Sequence, residues 1–129
     1  CARLSALSMA PTERRKLQAL HDHMGVLAEA GDAVTFADAN QALHTAIYVG
    51  AHNAMLADMT SALRRRLSPF RRAQFHLPGR LPRSHAEHHA VVTAIVSGDA
   101  ALAHAAMLHH VTLVEQSFEE LCAGRGIDA

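Results

Sequence analysis

Histidine is the residue type in this sequence with the greatest capacity for chemistry. Eleven of the 129 residues are histidine, and they are dispersed along the chain rather than grouped as a tag. A neutral imidazole is the commonest metal ligand in proteins, and it also exchanges protons near neutral pH. Which of these histidines can act together depends on the elements that carry them.

Helix-breaking residues divide the chain into helical blocks. Alanine, leucine and methionine are good helix formers, and no stretch alternates with a period of two, which argues against a β-rich fold. Short loops make neighbouring helices antiparallel, so the sequence predicts an all-α fold, an antiparallel bundle of six to seven helices. The predicted helices cover residues 1–8, 10–30, 34–50, 54–74, 84–96 and 99–122.

Capping signals set several of these boundaries. Ser84 with Glu87 three residues later predicts a capping box after a loop over residues 77–82, and Asp99 is expected to cap the last helix. The helical domain is predicted to span residues 1–122, followed by a frayed tail at 123–129. Because the sequence starts without methionine inside a helical pattern, we expect a truncated first helix and a missing upstream segment.

The position of each histidine relative to the apolar stripe of its helix separates three histidines from the rest. His44, His88 and His110 lie within or beside the stripes of three different helices. Asn40 lies one turn before His44 on the same side. The other eight, among them His21, His23, His52 and His76, are predicted to be surface or loop residues.

Two interpretations of the inward histidines remain open on this basis. Buried imidazoles without partners are costly, so each could be a core residue with its own hydrogen-bond partner. Alternatively, the three share a metal with Asn40, because side chains at i and i+4 on one helix lie close together. Imidazole ligands suit zinc, nickel, iron and copper, and tolerate manganese.

Arg66 is the one arginine that falls inside an apolar stripe, on the fourth predicted helix, whereas Arg64 and Arg71 are predicted to point outward. A buried arginine requires a carboxylate or phosphate partner, and no buried acid is obvious in the sequence. Either a bound anionic ligand pairs with Arg66, or its side chain extends past the stripe into water.

Composition limits the class of protein further. The formal net charge is zero, which argues against nucleic-acid binding by this segment. Cys1 and Cys122 are far apart and indicate free thiols in a reducing compartment. No apolar run reaches the ~20 residues of a membrane span, and no signal peptide is visible, so we expect a cytoplasmic protein without membrane contact.

Three motifs, in order, resemble those of a known family. Residues 36–44 (FADANQALH) with Asn53 resemble a D-x-x-F-H motif followed by asparagine nine residues on. Residues 87–99 (EHHAVVTAIVSGD) resemble E-H-x-x-I-x-x-A-I followed by G-D, and residues 106–111 (AMLHHV) resemble A-M-x-x-H-L. Over nearly its whole length the chain resembles the C-terminal effector domain of GntR-type transcriptional regulators, the FadR C-terminal or FCD domain.

The resemblance implies a divalent metal, zinc first with nickel or manganese as alternatives. The family binds it through an aspartate and three histidines, which correspond here to Asn40, His44, His88 and His110. The neutral amide of Asn40 would bind a metal more weakly than aspartate does. Its presence either favours an anionic effector as the completing ligand or indicates a partly degenerate site.

The resemblance also implies partners. These are a small organic acid effector, to which Arg66 and Asn53 are assigned, and a second copy of the chain in a homodimer. DNA would be contacted only through a winged-helix domain that precedes this domain in the family and is absent from this chain.

We therefore predict an effector-binding and dimerisation domain of a bacterial transcriptional regulator that is not an enzyme. A helical metalloenzyme is one alternative, because three histidines leave coordination positions open for Lewis-acid chemistry. However, Glu87 is predicted to point to the side of its helix opposite His88, which leaves no visible general base. A helical interaction module without a metal is the other alternative.

Overall fold

A computed structural model describes residues 1–124, and within them it contains seven α-helices and no strand. The predicted all-α bundle is therefore confirmed. The helices are α1 (Ala2–Ser8), α2 (Pro11–Ala30), α3 (Ala33–Gly50), α4 (Ala54–Arg66), α5 (Ser68–Ala73), α6 (Arg80–Ser97) and α7 (Ala100–Gly124). A short 3₁₀ turn (Gln74–His76) follows α5.

A tight turn joins α2 to α3, in the gap between the helices predicted at residues 10–30 and 34–50. Gly31 ends α2 in the left-handed conformation, with φ of +69°, where glycine has no steric penalty. The Asp32 carboxylate then accepts a hydrogen bond from the Thr35 backbone N–H and caps α3. This tight connection makes α2 and α3 antiparallel neighbours, whose apolar stripes contribute Leu17 and Leu43 to the core.

The single helix predicted over residues 54–74 is wrong. The structure ends α4 at Arg66 and starts α5 at Ser68, with Leu67 between them. Pro69 has no N–H to donate to the carbonyl one turn earlier, so the helix cannot continue through it unchanged. The 3₁₀ turn that follows packs against α3, α6 and α7, and its Phe75 ring meets Phe36 edge-on at 5.1 Å between ring centroids.

The predicted start of α6 at Ser84 is also wrong, because the helix begins at Arg80 after Gly79. Pro82 is tolerated in the first helical turn, where backbone N–H groups have no partner within the helix. Ser84 and Glu87 consequently lie in the helix interior and form no capping box. The earlier start places Arg80 two turns before Glu87, on the same face of α6.

The last helix begins as predicted, with the Asp99 carboxylate accepting from the Leu102 N–H at 2.9 Å. It runs to Gly124, two residues beyond the predicted end, and residues 125–129 of the predicted tail lie outside the described part of the chain. Among the described residues, no helix combines the length and hydropathy needed to cross a membrane.

Candidate metal centre and adjoining cavity

Three helices bring His44, His88 and His110 together in the core. His44 lies on α3, His88 on α6 and His110 on α7, and each residue is at most 2% exposed. The prediction that these three histidines face inward is confirmed. Each follows the buried stripe of its helix, which on α3 includes Leu43 and on α6 includes Val91.

The three imidazole rings converge on one point. His44 Nε2 and His88 Nε2 are 3.0 Å apart, and the His88 and His110 ring centroids are 4.4 Å apart. One ring nitrogen from each of the three lies within 4.8 Å of the others. The Nε2 atom of His110 is buried and has no hydrogen-bond partner. We refer to these three side chains as the histidine triad.

A partly buried acid that the sequence analysis missed contacts His110. Glu87 Oε2 lies 2.8 Å from His110 Nδ1, and Arg80 donates to both carboxylate oxygens at 2.8 and 3.1 Å. The expectation that Glu87 points away from the site is therefore wrong. Because the carboxylate can only accept, His110 donates from Nδ1, which leaves a lone pair on the unpartnered Nε2. Gln74 Oε1 accepts from Arg80 Nε at 2.8 Å and completes this buried network.

The burial of the triad keeps its imidazoles neutral. Burial lowers the pKa of His44 well below its usual value, and the nearby Arg64 guanidinium lowers it further. The pKa of His88 is likewise lowered well below its usual value by burial, with a contribution from His110. Burial also lowers the pKa of His110, although Glu87 opposes this effect. Neutral imidazole is the protonation state that binds a metal.

These features fit a first-row divalent metal. Two nitrogens at 2.0–2.1 Å from a tetrahedral zinc are roughly 3.3 Å apart, close to the separation of His44 Nε2 from His88 Nε2. The unpartnered His110 Nε2 supplies a third donor, and Glu87 orients it as the outer carboxylates of known histidine metal sites do. The triad therefore has the chemistry and the convergence that a metal requires.

Asn40 borders a cavity whose lining does not include the triad histidines. It is buried, lies one turn before His44 on α3, and lines a cavity of about 480 Å³. The cavity lies between α3 and the α4–α5 segment. Its other polar lining comes from Gln41, Ser68 and four arginines, including Arg64 and Arg71.

Arg64, rather than Arg66, is the buried arginine of α4. Arg64 is 5% exposed, whereas Arg66 is exposed and does not line the cavity. The placement of Arg66 on a buried stripe is wrong, because the apolar stripe of α4 faces solvent, with Met55 73% and Leu63 60% exposed. The helix is thus rotated relative to the orientation that the stripe suggested. The alternative, that the Arg66 side chain extends into water, agrees with its exposure.

Arg64 and Arg71 lack an acidic partner. Arg64 Nε donates to the neutral Gln41 Oε1 at 2.9 Å, and Arg71 Nε is buried without a hydrogen-bond partner. Within residues 1–124 no carboxylate lies within salt-bridge distance of either guanidinium. Burial, with a contribution from Arg71, lowers the pKa of Arg64 to about 10. Two partly desolvated cations without a counter-charge make this cavity suited to an anion.

Asn53 is not brought to this cavity. It is exposed and precedes α4, where its side-chain oxygen accepts from the Leu56 N–H at 3.1 Å. It therefore caps the helix, and it is not among the residues that line the cavity.

A second histidine cluster contradicts one prediction. His21 was expected on the surface, but it is buried on α2, stacked on His85 with centroids 4.2 Å apart. Its Nε2 lies 3.3 Å from His89 Nδ1. The spacing of Leu17, His21 and Met24 along α2 is the signal that would have identified this burial. His23, His52 and His76 are exposed, as predicted.

The chain matches a known family of helical domains. A sequence model described as the FCD domain matches residues 1–113. The chain belongs to the FCD domain family. The FCD match spans all three histidines of the triad as well as Arg64 and Arg71, and a search of curated proteins finds no match.

Among solved structures, this FCD domain is similar to McbR/YncC of E. coli. The TM-score is 0.77 and the sequence identity is 19%. The similar region covers 89% of this chain and 60% of that one, so this chain spans less than two thirds of that protein. At this identity the likeness shows a shared fold.

Proposed function

We propose that this FCD domain is the effector-binding and dimerisation domain of a bacterial GntR-type transcriptional regulator that works in the cytoplasm. It senses a small organic acid with the help of a divalent metal. The observation that carries this proposal is the pairing of two features. The first is the triad of neutral histidines, and the second is a cavity, bordered by Asn40 one helical turn before His44, in which Arg64 and Arg71 have no acidic partner.

In this proposal the histidine triad holds the metal, with zinc first and nickel or manganese as alternatives. A bound metal supplies a positive coordination point with positions open to a carboxylate. Arg64 and Arg71 donate hydrogen bonds to the anionic groups of the effector, since guanidinium groups bind carboxylates in a fixed two-pronged geometry. Asn40 offers an amide in the cavity lining, one turn before His44 on α3.

The domain responds to the effector because the effector binds one arrangement of the domain more tightly than another. Arg64 lies on α4 and Arg71 on α5, on either side of the break at Leu67. An anion that engages both guanidiniums therefore favours one relative position of these helices, and it shifts the population toward that state. In this proposal, the regulator contacts DNA through a winged-helix domain that precedes the FCD domain.

The exposed apolar face of α4 supports the dimer. This face is defined by Met55, Met59 and Leu63, each at least 60% exposed. An uninterrupted apolar stripe of this kind marks an interaction surface, and a second copy of the chain is the occupant that we propose. Met59→Glu should convert a dimer to a monomer in sedimentation experiments, whereas the exposed Val26→Glu on α2 should not. A wild-type monomer at all concentrations would contradict the dimer.

The metal and effector are tested by metal analysis and calorimetry on the wild type and a His88→Ala, His110→Ala double variant. The matched control replaces His104 and His109, which are exposed on α7. The wild type and the control should bind about one metal per chain, and the double variant should bind none. Identical metal content in all three proteins would overturn the site assignment. Circular dichroism establishes that the double variant remains helical.

A catalytic role is less well supported than a sensory one. Membership of the FCD family favours a regulatory domain. Glu87 is the acid nearest the triad, but its two carboxylate oxygens are engaged by Arg80 and His110. A general base needs a free oxygen within reach of the substrate proton. Turnover of a carboxylic acid by the purified, metal-loaded chain would favour the metalloenzyme instead.

A further inference from the structure

A groove between α5 and α7 leaves apolar side chains exposed. We call it the α5–α7 groove. Its volume is about 390 Å³, and it is lined by Leu67, Phe70, Arg71, Gln74, Val111, Val114, Glu115 and Phe118. The rings of Phe70 and Phe118 meet edge-on with centroids 5.3 Å apart, yet Phe70 remains 51% exposed and Val111 50%. This volume lies in the range of small-molecule sites, and the walls suit an apolar group.

Arg71 connects this groove to the cavity beside α3, because its side chain lines both. Its Nε is buried without a hydrogen-bond partner, and burial lowers the pKa of Arg71 below the usual value. Within residues 1–124, no carboxylate lies within salt-bridge distance of its guanidinium. Glu115, the acid in the groove lining, is exposed, so water and salt screen its charge. The groove thus combines apolar walls with a cation that the described residues do not neutralise.

We infer that the α5–α7 groove binds the apolar tail of a monocarboxylate whose carboxylate is held by Arg71. This inference rests on the proposed function and names the class of effector, an acid with an aromatic or aliphatic tail. A small dicarboxylate would leave the apolar walls in water, and a hydrocarbon would leave Arg71 without an anion. A single amphipathic acid satisfies both.

A pair of double variants tests the binding of the tail. Phe70→Gln with Val111→Gln makes two walls of the groove polar. The matched control is Leu102→Gln with Leu108→Gln, which changes two residues of α7 that lie outside the groove and are 52% and 60% exposed. All four side chains are at least half exposed, so both double variants should fold as the wild type does, which circular dichroism verifies.

Arg71→Gln tests the binding of the carboxylate. Loss of the guanidinium should weaken the binding of acids with and without a tail by a similar factor, about tenfold or more. The preference for an apolar tail should remain. Arg66→Gln is the control, since Arg66 is exposed and lines neither the groove nor the cavity.

The experiment is a calorimetric titration of these proteins with acetate, 3-phenylpropionate and succinate, at equal ionic strength and buffered free zinc. The wild type should bind 3-phenylpropionate at least about tenfold more tightly than acetate, because even partial burial of a phenyl group has an effect of this size. The groove variant should lose most of this preference, and its matched control should keep it.

Equal affinities of the wild type for acetate and 3-phenylpropionate would overturn the inference, and so would a preference that the groove variant retains. Binding of succinate would in either case leave the proposed function standing. If none of the three acids binds, the proposed function fails as well. A dimer that only the groove variant disrupts, without any preference for a tail, would assign the groove to a second copy of the chain instead.

Discussion

Two histidine clusters share helix α6, and they differ in the direction of their ring nitrogens. In the triad, the rings of His44 and His88 are 81° apart in orientation and their nitrogens converge. In the second cluster, His21 and His85 are stacked with 12° between their planes. A lone pair lies in the plane of its ring, so the lone pairs of stacked rings lie in separate, nearly parallel planes and do not meet at one point.

The comparison shows that burial and residue type alone do not define a metal site. His21 is as buried as His110, and both have a buried ring nitrogen without a hydrogen-bond partner. Yet among residues 1–124 only the triad brings one ring nitrogen from each of three side chains within 4.8 Å of the others. We interpret the triad as a ligand set and the second cluster as a packing contact between α2 and α6.

Replacement of a triad histidine should have the largest effect on zinc binding. Zinc at about a hundredfold excess over its Kd should stabilise the wild type by about 2.7 kcal/mol, which raises Tm by about 10 °C. His110→Ala should abolish this shift, and His89→Ala should retain it. Thermal unfolding with zinc and with a chelator measures both. If both variants lost the zinc-induced rise in Tm equally, the two clusters would not differ in their contribution to zinc binding.

Glu87→Gln should have the next largest effect, through the orientation of His110. An outer carboxylate of this kind commonly contributes about 10–100-fold to metal affinity. The variant should therefore bind zinc more weakly by that factor. Its metal-free form should also unfold more easily, since Arg80 keeps a buried charge without a carboxylate.

The matched control for Glu87 is Glu120→Gln. Glu120 lies on the surface, 3.8 Å from Arg83, so its loss should change stability by less than about 1 kcal/mol. Zinc affinity should stay at the wild-type value. A similar loss of zinc affinity in both variants would mean that net charge, rather than the hydrogen bond to His110, is responsible.

The second cluster should affect how the free energy of unfolding of the metal-free protein depends on pH. Burial, together with His85 and His89, lowers the pKa of His21 from 6.5 to about 4. Between these values the unfolded chain binds a proton that the folded chain does not, so the free energy of unfolding should fall as pH drops through this window. His21→Gln should reduce that slope and leave zinc binding at neutral pH unchanged. A slope equal to that of the wild type would assign the titration to other groups.

Gly25→Ala should have the smallest effect. A Cβ at this position in α2 would lie 3.0 Å from His85 Nε2, at the movable end of a side chain. Better helix propensity, worth up to about 1 kcal/mol, should roughly offset the displacement of His85. Denaturant unfolding should show a change smaller than this. A drop in zinc affinity would connect the second cluster to the triad and contradict their separation.

The sequence predicted the triad because α3, α6 and α7 all bury their apolar stripes. The same rule failed on α4, whose stripe faces solvent, and it therefore selected Arg66 instead of Arg64. Which side of a helix faces its neighbours depends on tertiary packing, and apolar periodicity does not report it where the stripe serves another surface.

The network behind the triad was missed for a different reason. Arg80 and Glu87 are two turns apart, a spacing that places them on one helical face. The spacing did not predict this pair, because Ser84 indicated an N-cap and Pro82 indicated a loop, so the helix was expected to start after Arg80. The structure starts α6 at Arg80, and only then does the carboxylate that orients His110 become visible in the sequence. Helix boundaries thus decided what could be predicted about the site.

A zinc-loaded crystal measured at the zinc absorption edge would show directly whether the triad binds the metal. We expect one strong anomalous peak per chain, at about 2.0–2.1 Å from Nε2 of His44, His88 and His110. A peak between His21 and His89 with none at the triad would contradict this expectation.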